Sequence, residues 1–189
     1  MAVNKKMGGH SQSANDFLKP YAPTIGAATN IGTSRGYNNG AISVAFTPTG
    51  PNAATSYTVT AVEDASKTAT GSSSPIIVTG LASNTSYTFK VAGTNAVGTG
   101  DQSSASSAVT ATTLAQTPTI GTATNVGTGR PYNNGAATVT FTANATGGSA
   151  ITGYTVTSSS GGYTATGSSS PLTVTGLQSA TDYTFTVTA

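Results

Sequence analysis

The sequence predicts an all-β protein: two tandem antiparallel β-sandwiches preceded by an extended N-terminal arm. Three observations carry this. The chain repeats itself, with Pro23–Phe46 aligning with Pro118–Phe141 at 17 of 24 identical positions and Thr68–Val91 with Thr164–Val187 at 18 of 24. A period of about 95 residues exceeds solenoid periods of roughly 20–50 and marks the duplication of a whole domain. Apolar residues recur with period two through each copy, which buries one face of a strand and leaves the other in solvent. Finally, a composition rich in Thr, Ser and Val, with 23 Gly and only 6% charged residues, suits short strands joined by tight turns, and no helix-period segment interrupts it.

Three segments follow in order. Residues 1–22 lack strand alternation, hold three of the seven basic residues (Lys5, Lys6 and Lys19), and carry one apolar patch at Phe17, Leu18 and Tyr21. This segment reads as an extended arm, either a frayed terminus or an anchor that orders when Phe17, Leu18 and Tyr21 are buried on a larger assembly. Residues 23–115 form the first sandwich. Its predicted strands are centred on Ile42/Val44/Phe46, Tyr57/Val59/Ala61, Ile76/Val78 leading to Leu81, Tyr87/Phe89/Val91, and Val109/Ala111. Tyr37-Asn38-Asn39-Gly40, repeated as Tyr132-Asn133-Asn134-Gly135, predicts a tight Asn-Gly hairpin turn, because both residue types tolerate positive φ. Residues 114–117 make a short connection that ends before Pro118, which predicts a semi-rigid rod. Residues 116–189 form the second sandwich. Ala189 aligns with Gly93, so the counterparts of Thr94–Thr113 and their last strand do not appear. Without that strand Val187 would lie on an unpaired edge. The expectation is a longer protein with further modules, the alternative being a strand donated by a neighbour.

Bulk properties narrow the function. A net charge of +2 with no basic stripe argues against nucleic acid. No run approaches the ~20 apolar residues that cross a membrane. The absence of cysteine excludes disulfide and thiolate chemistry, and His10, the only histidine, rules out a multi-histidine metal site. The first residues carry two lysines without the ~7–15-residue apolar stretch of a secretory signal. The five acidic residues (Asp16, Glu63, Asp64, Asp101, Asp182) are scattered. Glu63 and Asp64 are adjacent and would point to opposite faces of a strand, so a solvated loop is their plain reading. No Gly-x-Ser-x-Gly elbow, phosphate loop or calcium loop occurs. No catalytic residue, cofactor or metal is expected. Arg35 and Arg130 hold the same repeat position, beside Tyr37 and Tyr132. They are candidates for contact with a glycan or a partner protein, against the plainer reading that they pack over their own loop.

Gly80-Leu81-Ala82-Ser83-Asn84-Thr85-Ser86-Tyr87-Thr88-Phe89-Lys90-Val91 resembles the signature of fibronectin type III domains. In that family a leucine closes one strand, Thr-x-Tyr opens the next, and the tyrosine hydroxyl ties back to the corner backbone. Leu81, Thr85 and Tyr87 match, as do Leu177, Thr181 and Tyr183. Ala92-Gly93-Thr94-Asn95-Ala96-Val97-Gly98 is similar to the family's Ala-x-Asn-x-x-Gly with one residue extra. The resemblance covers residues 23–189, with one departure: Phe46 and Phe141 stand where the family's tryptophan would lie.

The resemblance implies a spacer, adhesive or decorating role. Two settings fit. One is a bacteriophage virion fibre, whisker or decoration, released by lysis and present in many copies. Its arm would attach to other virion proteins, and its modules would adhere weakly to host-surface glycans through avidity. The other is a bacterial surface or secreted adhesin or spacer array. Neither setting involves nucleic acid or membrane insertion, and the virion reading is the favoured expectation.

Overall fold

The computed structural model describes residues 18–189, and among these all regular structure is β-strand. The first repeat contains β1 (Thr24–Asn30), β2 (Gly40–Thr47), β3 (Ser56–Ala61), β4 (Thr68–Gly71), β5 (Ile76–Leu81), β6 (Thr85–Tyr87), β7 (Phe89–Asn95), β8 (Gly98–Gln102) and β9 (Val109–Ala111). They form sheets ordered β1-β2-β5 and β4-β3-β7-β8, with β6 paired to β9. The second repeat contains β10 (Thr119–Asn125), β11 (Gly135–Thr142), β12 (Tyr154–Ser158), β13 (Thr164–Gly167), β14 (Leu172–Leu177) and β15 (Phe185–Thr188), in sheets β10-β11-β14 and β13-β12-β15.

The expected alternation builds these sheets. In β3, Tyr57, Val59 and Ala61 are buried while Ser56, Thr58 and Thr60 are only half-buried. In β12, Tyr154 and Val156 repeat the pattern. Ile42, Val44, Val59, Val78, Leu81, Phe89 and Val91 make the first core; Val139, Val156, Val174, Leu177 and Val187 make the second. Phe46 packs on Tyr57 with ring centroids 4.8 Å apart, and Phe141 on Tyr154 at the same 4.8 Å. An aromatic pair across the strands thus fills the volume expected for a tryptophan.

Two details differ from the expectation. The Asn-Gly pair makes no two-residue hairpin: residues 31–39 join β1 to β2, and the left-handed residue is Asn38 (φ 59°), with Asn133 (φ 57°) in the second copy. Gly40 instead opens β2 in a crowded place, where a Cβ would sit 3.0 Å from the Leu81 carbonyl oxygen and 3.1 Å from the Ala111 Cβ. The strands β1, β4 and β8 were absent from the predicted set. Built of Thr, Gly, Ala and polar residues, they carry little apolar alternation to betray them.

Contacts divide the described residues into two compact units, one of residues 18–29, Ile42–Thr79 and Tyr87–Val109, the other of Asn30–Ala41, Gly80–Ser86 and Thr110–Ala189. Within the second unit the expected short connection is held by its backbone. Thr113 N–H donates to the Gly147 carbonyl, Leu114 N–H to that of Arg35 and Gln116 N–H to that of Ala145, at 2.8–2.9 Å.

Ala180 occupies the left-handed region at φ 55°, as does Asn84 at the matching position of the first repeat. An alanine there carries a steric cost that glycine lacks. Ala180→Gly is therefore expected to stabilise the second sandwich by about 0.5–1 kcal/mol. Thermal unfolding followed by signals from β12 and β14 reads this, and a lowered midpoint would refute it.

Candidate functional site

The Arg-Tyr loops are built from their own polar residues. Arg35 turns back into its loop, donating from Nε to the Asn39 carbonyl at 2.6 Å and from Nη2 to Asn39 Oδ1 at 3.1 Å. Arg130 does the same to the Asn134 carbonyl at 2.8 Å. The left-handed asparagine of each of these loops, Asn38 and Asn133, is clasped by a serine. Asn38 N–H donates to Ser83 Oγ (2.7 Å) and Ser83 N–H to Asn38 Oδ1 (3.0 Å). Asn133 and Ser179 repeat the exchange at 3.0 Å in both directions. This Asn–Ser clasp escaped the sequence reading, although its signal was present: both residues recur at matching repeat positions. Beyond the loop backbone, Tyr37 is half-buried, whereas Tyr132 is 83% exposed. Tyr132 is the side chain of this set most open to a partner.

The leucine and tyrosine positions lie at the core. Leu81, Tyr87 and Leu177 are buried, and Tyr183 is half-buried. Gln178 N–H donates to Tyr183 Oη at 2.9 Å, a bond from the corner backbone to a ring whose hydroxyl needs a partner. Thr85 and Thr181 each donate their hydroxyl two residues back, to the carbonyls of Ser83 (3.2 Å) and Ser179 (3.3 Å).

Of the proposed anchor residues, Phe17 lies outside the described residues, as do His10 and Asp16. Leu18 and Tyr21 are each about half exposed. The backbone between them is docked on the first sandwich. The carbonyls of Leu18, Lys19 and Ala22 accept hydrogen bonds from Asn95 Nδ2 (2.8 Å), Asn52 Nδ2 (3.1 Å) and Thr49 Oγ1 (2.7 Å), and Pro20 is buried.

The adjacent acids face separate partners. Burial opposes the charge on Glu63, but hydrogen bonds from Thr88 N–H (2.9 Å) and Thr88 Oγ1 (2.8 Å) outweigh it and hold the carboxyl below its ordinary value of 4.5. Ser66 Oγ (2.6 Å) and N–H (3.0 Å) hold Asp64 below 3.8, with help from the charge of Lys67. In the second repeat Ser159 Oγ accepts from Thr184 N–H at 3.1 Å, so a neutral hydroxyl does the job of Glu63. A carboxylate with a depressed native pKa stabilises the fold fully above its unfolded pKa, and that contribution is lost as pH falls through the native value. The urea midpoint of the first sandwich is therefore expected to be flat above about pH 5.5 and to fall below about pH 4.5. Glu63→Gln should flatten part of that fall; an unchanged acid limb would disprove the assignment. Among the described residues no three His, Cys, Asp or Glu side chains come together as a metal could require. Among them, too, no helix is long and apolar enough to cross a membrane.

Residues 26–110 and 124–189 match the family model of the fibronectin type III domain. No curated protein matches the chain. Among solved structures it is similar to the FN1–FN3 domains of chicken CNTN1, at 14% identity and a TM-score of 0.40, over 90% of this chain and 61% of that one. That domain family consists typically of non-catalytic structural modules, and no enzyme family is indicated. With two matched segments and two antiparallel sandwiches whose corner tyrosines stand at the matching positions, this chain belongs to the fibronectin type III domain family.

Proposed function

We propose that this protein is a non-enzymatic structural protein of a bacteriophage virion, displayed in many copies. In this reading the residues before Leu18, with the exposed faces of Leu18 and Tyr21, attach it to other virion proteins. One observation carries the non-enzymatic part: the groups with most chemistry are engaged in holding loops. Arg35 and Arg130 bind their own turn backbones, and Glu63 and Asp64 are held by Thr88 and Ser66. The virion setting is supported by the Thr/Ser/Gly-rich character of the repeats and by an N-terminal segment unlike the sandwiches.

A second reading, a bacterial surface or secreted adhesin or spacer, draws on Tyr132, an aromatic ring 83% exposed on a loop. Such a ring can stack on a sugar or fill a partner's pocket, and many weak copies reach useful avidity. Density-gradient sedimentation of lysed source culture, probed with an antibody to one repeat, separates the two. Signal moving with virus-like particles is expected. Signal confined to the envelope or secreted fraction would replace the virion reading with the adhesin.

A further inference from the structure

Asn39-Gly40 and Asn134-Gly135 are the two Asn-Gly dipeptides of the chain, each placed where a loop enters a strand. Such a pair carries a chemistry of its own. The glycine nitrogen can attack the side-chain amide carbon of the asparagine, because no glycine Cβ crowds the approach. A bond forms between that nitrogen and Cγ, the Cγ–Nδ2 bond breaks, and Nδ2 takes the displaced proton and leaves as ammonia. Water then opens the cyclic imide at either carbonyl, giving aspartate or its β-linked isomer. Asn39 is exposed, so water reaches the imide once it forms.

The loop holds Asn39 back from the first of these steps. Its N–H donates to the Gly36 carbonyl at 3.0 Å. Its main-chain carbonyl accepts from Arg35 Nε at 2.6 Å, and its Oδ1 accepts from Arg35 Nη2 at 3.1 Å. Nε and Nη2 belong to one rigid, planar guanidinium, so the two oxygens are gathered on one side. The side-chain amide is thereby drawn toward its own carbonyl oxygen. The Gly40 nitrogen lies across the carbonyl carbon from that oxygen, so Cγ is turned away from its attacker. Gly40 has little freedom to close the gap. It is buried, and a Cβ there would sit 3.0 Å from the Leu81 carbonyl oxygen. The bond to Oδ1 also withdraws electrons from Cγ, which favours attack, but a better electrophile gains nothing while its attacker is misplaced. Arg130 makes the same Nε bond to the Asn134 carbonyl, at 2.8 Å.

We propose that Asn39 is a modification site, converted spontaneously to aspartate and isoaspartate, and that Arg35 is the positioning residue that slows the conversion. Reaction places a carboxylate against the Arg35 guanidinium. In the isomer it also lengthens the main chain by one carbon just before β2.

The test incubates the 189-residue chain in mildly alkaline buffer and follows Asn39 by mass spectrometry of proteolytic fragments that separates aspartate from isoaspartate. Arg35→Ala is expected to raise the rate at Asn39 by at least about tenfold. Arg35→Lys should raise it as well, because an ammonium keeps the charge but cannot bridge both oxygens in a fixed geometry. Ser83→Ala removes the exchange with Asn38 and leaves Arg35 in place, and should leave the rate at Asn39 unchanged. An equal rise with Ser83→Ala would assign the protection to loop order in general and overturn the role of Arg35. An unchanged or slower rate in both Arg35 variants would overturn it too. No conversion at Asn39 in any variant would overturn the site itself.

Discussion

Phe89→Ala is expected to destabilise the first sandwich by about 3–5 kcal/mol, while the same change at Phe185 costs the second only about 1–2 kcal/mol. The two phenylalanines sit at matching positions of one repeat, so composition cannot separate them. Burial does: Phe89 has no exposed surface, and Phe185 is open on one side. In the first repeat the segment bearing Ser103 and Ser106 is held to β7 by four hydrogen bonds at the backbone of Phe89 and Val91. Truncating Phe89 removes a full ring from a packed interior and leaves a cavity. Truncating Phe185 removes a ring that already meets water. Residue-resolved urea unfolding by NMR, which reads each sandwich separately, checks the pair. Equal losses in the two sandwiches would show that the burial difference has no energetic weight.

Gly100→Val is expected to destabilise the first sandwich by about 2–6 kcal/mol and to release residues 18–22 from it. A Cβ at Gly100 would lie 1.9 Å from the Pro20 carbonyl oxygen. No rotamer relieves that clash, because both partners are backbone. The docked segment must move away, taking with it the bonds from Asn95 and Asn52 to the Leu18 and Lys19 carbonyls. Overpacking costs ~1–3 kcal/mol and each lost hydrogen bond ~0.5–1.5 kcal/mol, which sets the range. Nuclear Overhauser contacts between the Tyr21 ring and Gly50, whose built Cβ would fall 2.5 Å from that ring, report the docking directly. Retained contacts at unchanged stability would refute the clash. The variant also bears on attachment, because it frees the segment without altering Phe17, Leu18 or Tyr21.

Strand alternation was legible wherever apolar residues mark one face. The positions of β2, β3, β5, β7 and β9 follow from Ile42 through Ala111 by period two, and the second repeat inherits them through its identity to the first. The candidate site was legible only as residue types. Arg35 and Arg130 were visible as a repeated pair, but their bonds to the Asn39 and Asn134 carbonyls depend on a loop path that no pattern encodes. The Asn-Gly dipeptide announced a positive φ at Asn39 and Gly40, and neither residue adopts it. Asn38 does, because its side chain can meet Ser83, 45 residues away in sequence.

The sequence by itself determined that this chain is a duplicated, all-β protein with two apolar cores, because repetition and period-two burial are local properties written in residue order. Only the tertiary structure decided which polar groups are engaged and which surfaces stay open. Glu63 and Ser159 receive the same backbone donor despite their different chemistry, since both lie opposite a threonine N–H that falls outside the strand ladders. Each is a relation between distant residues that exists only once the chain has folded.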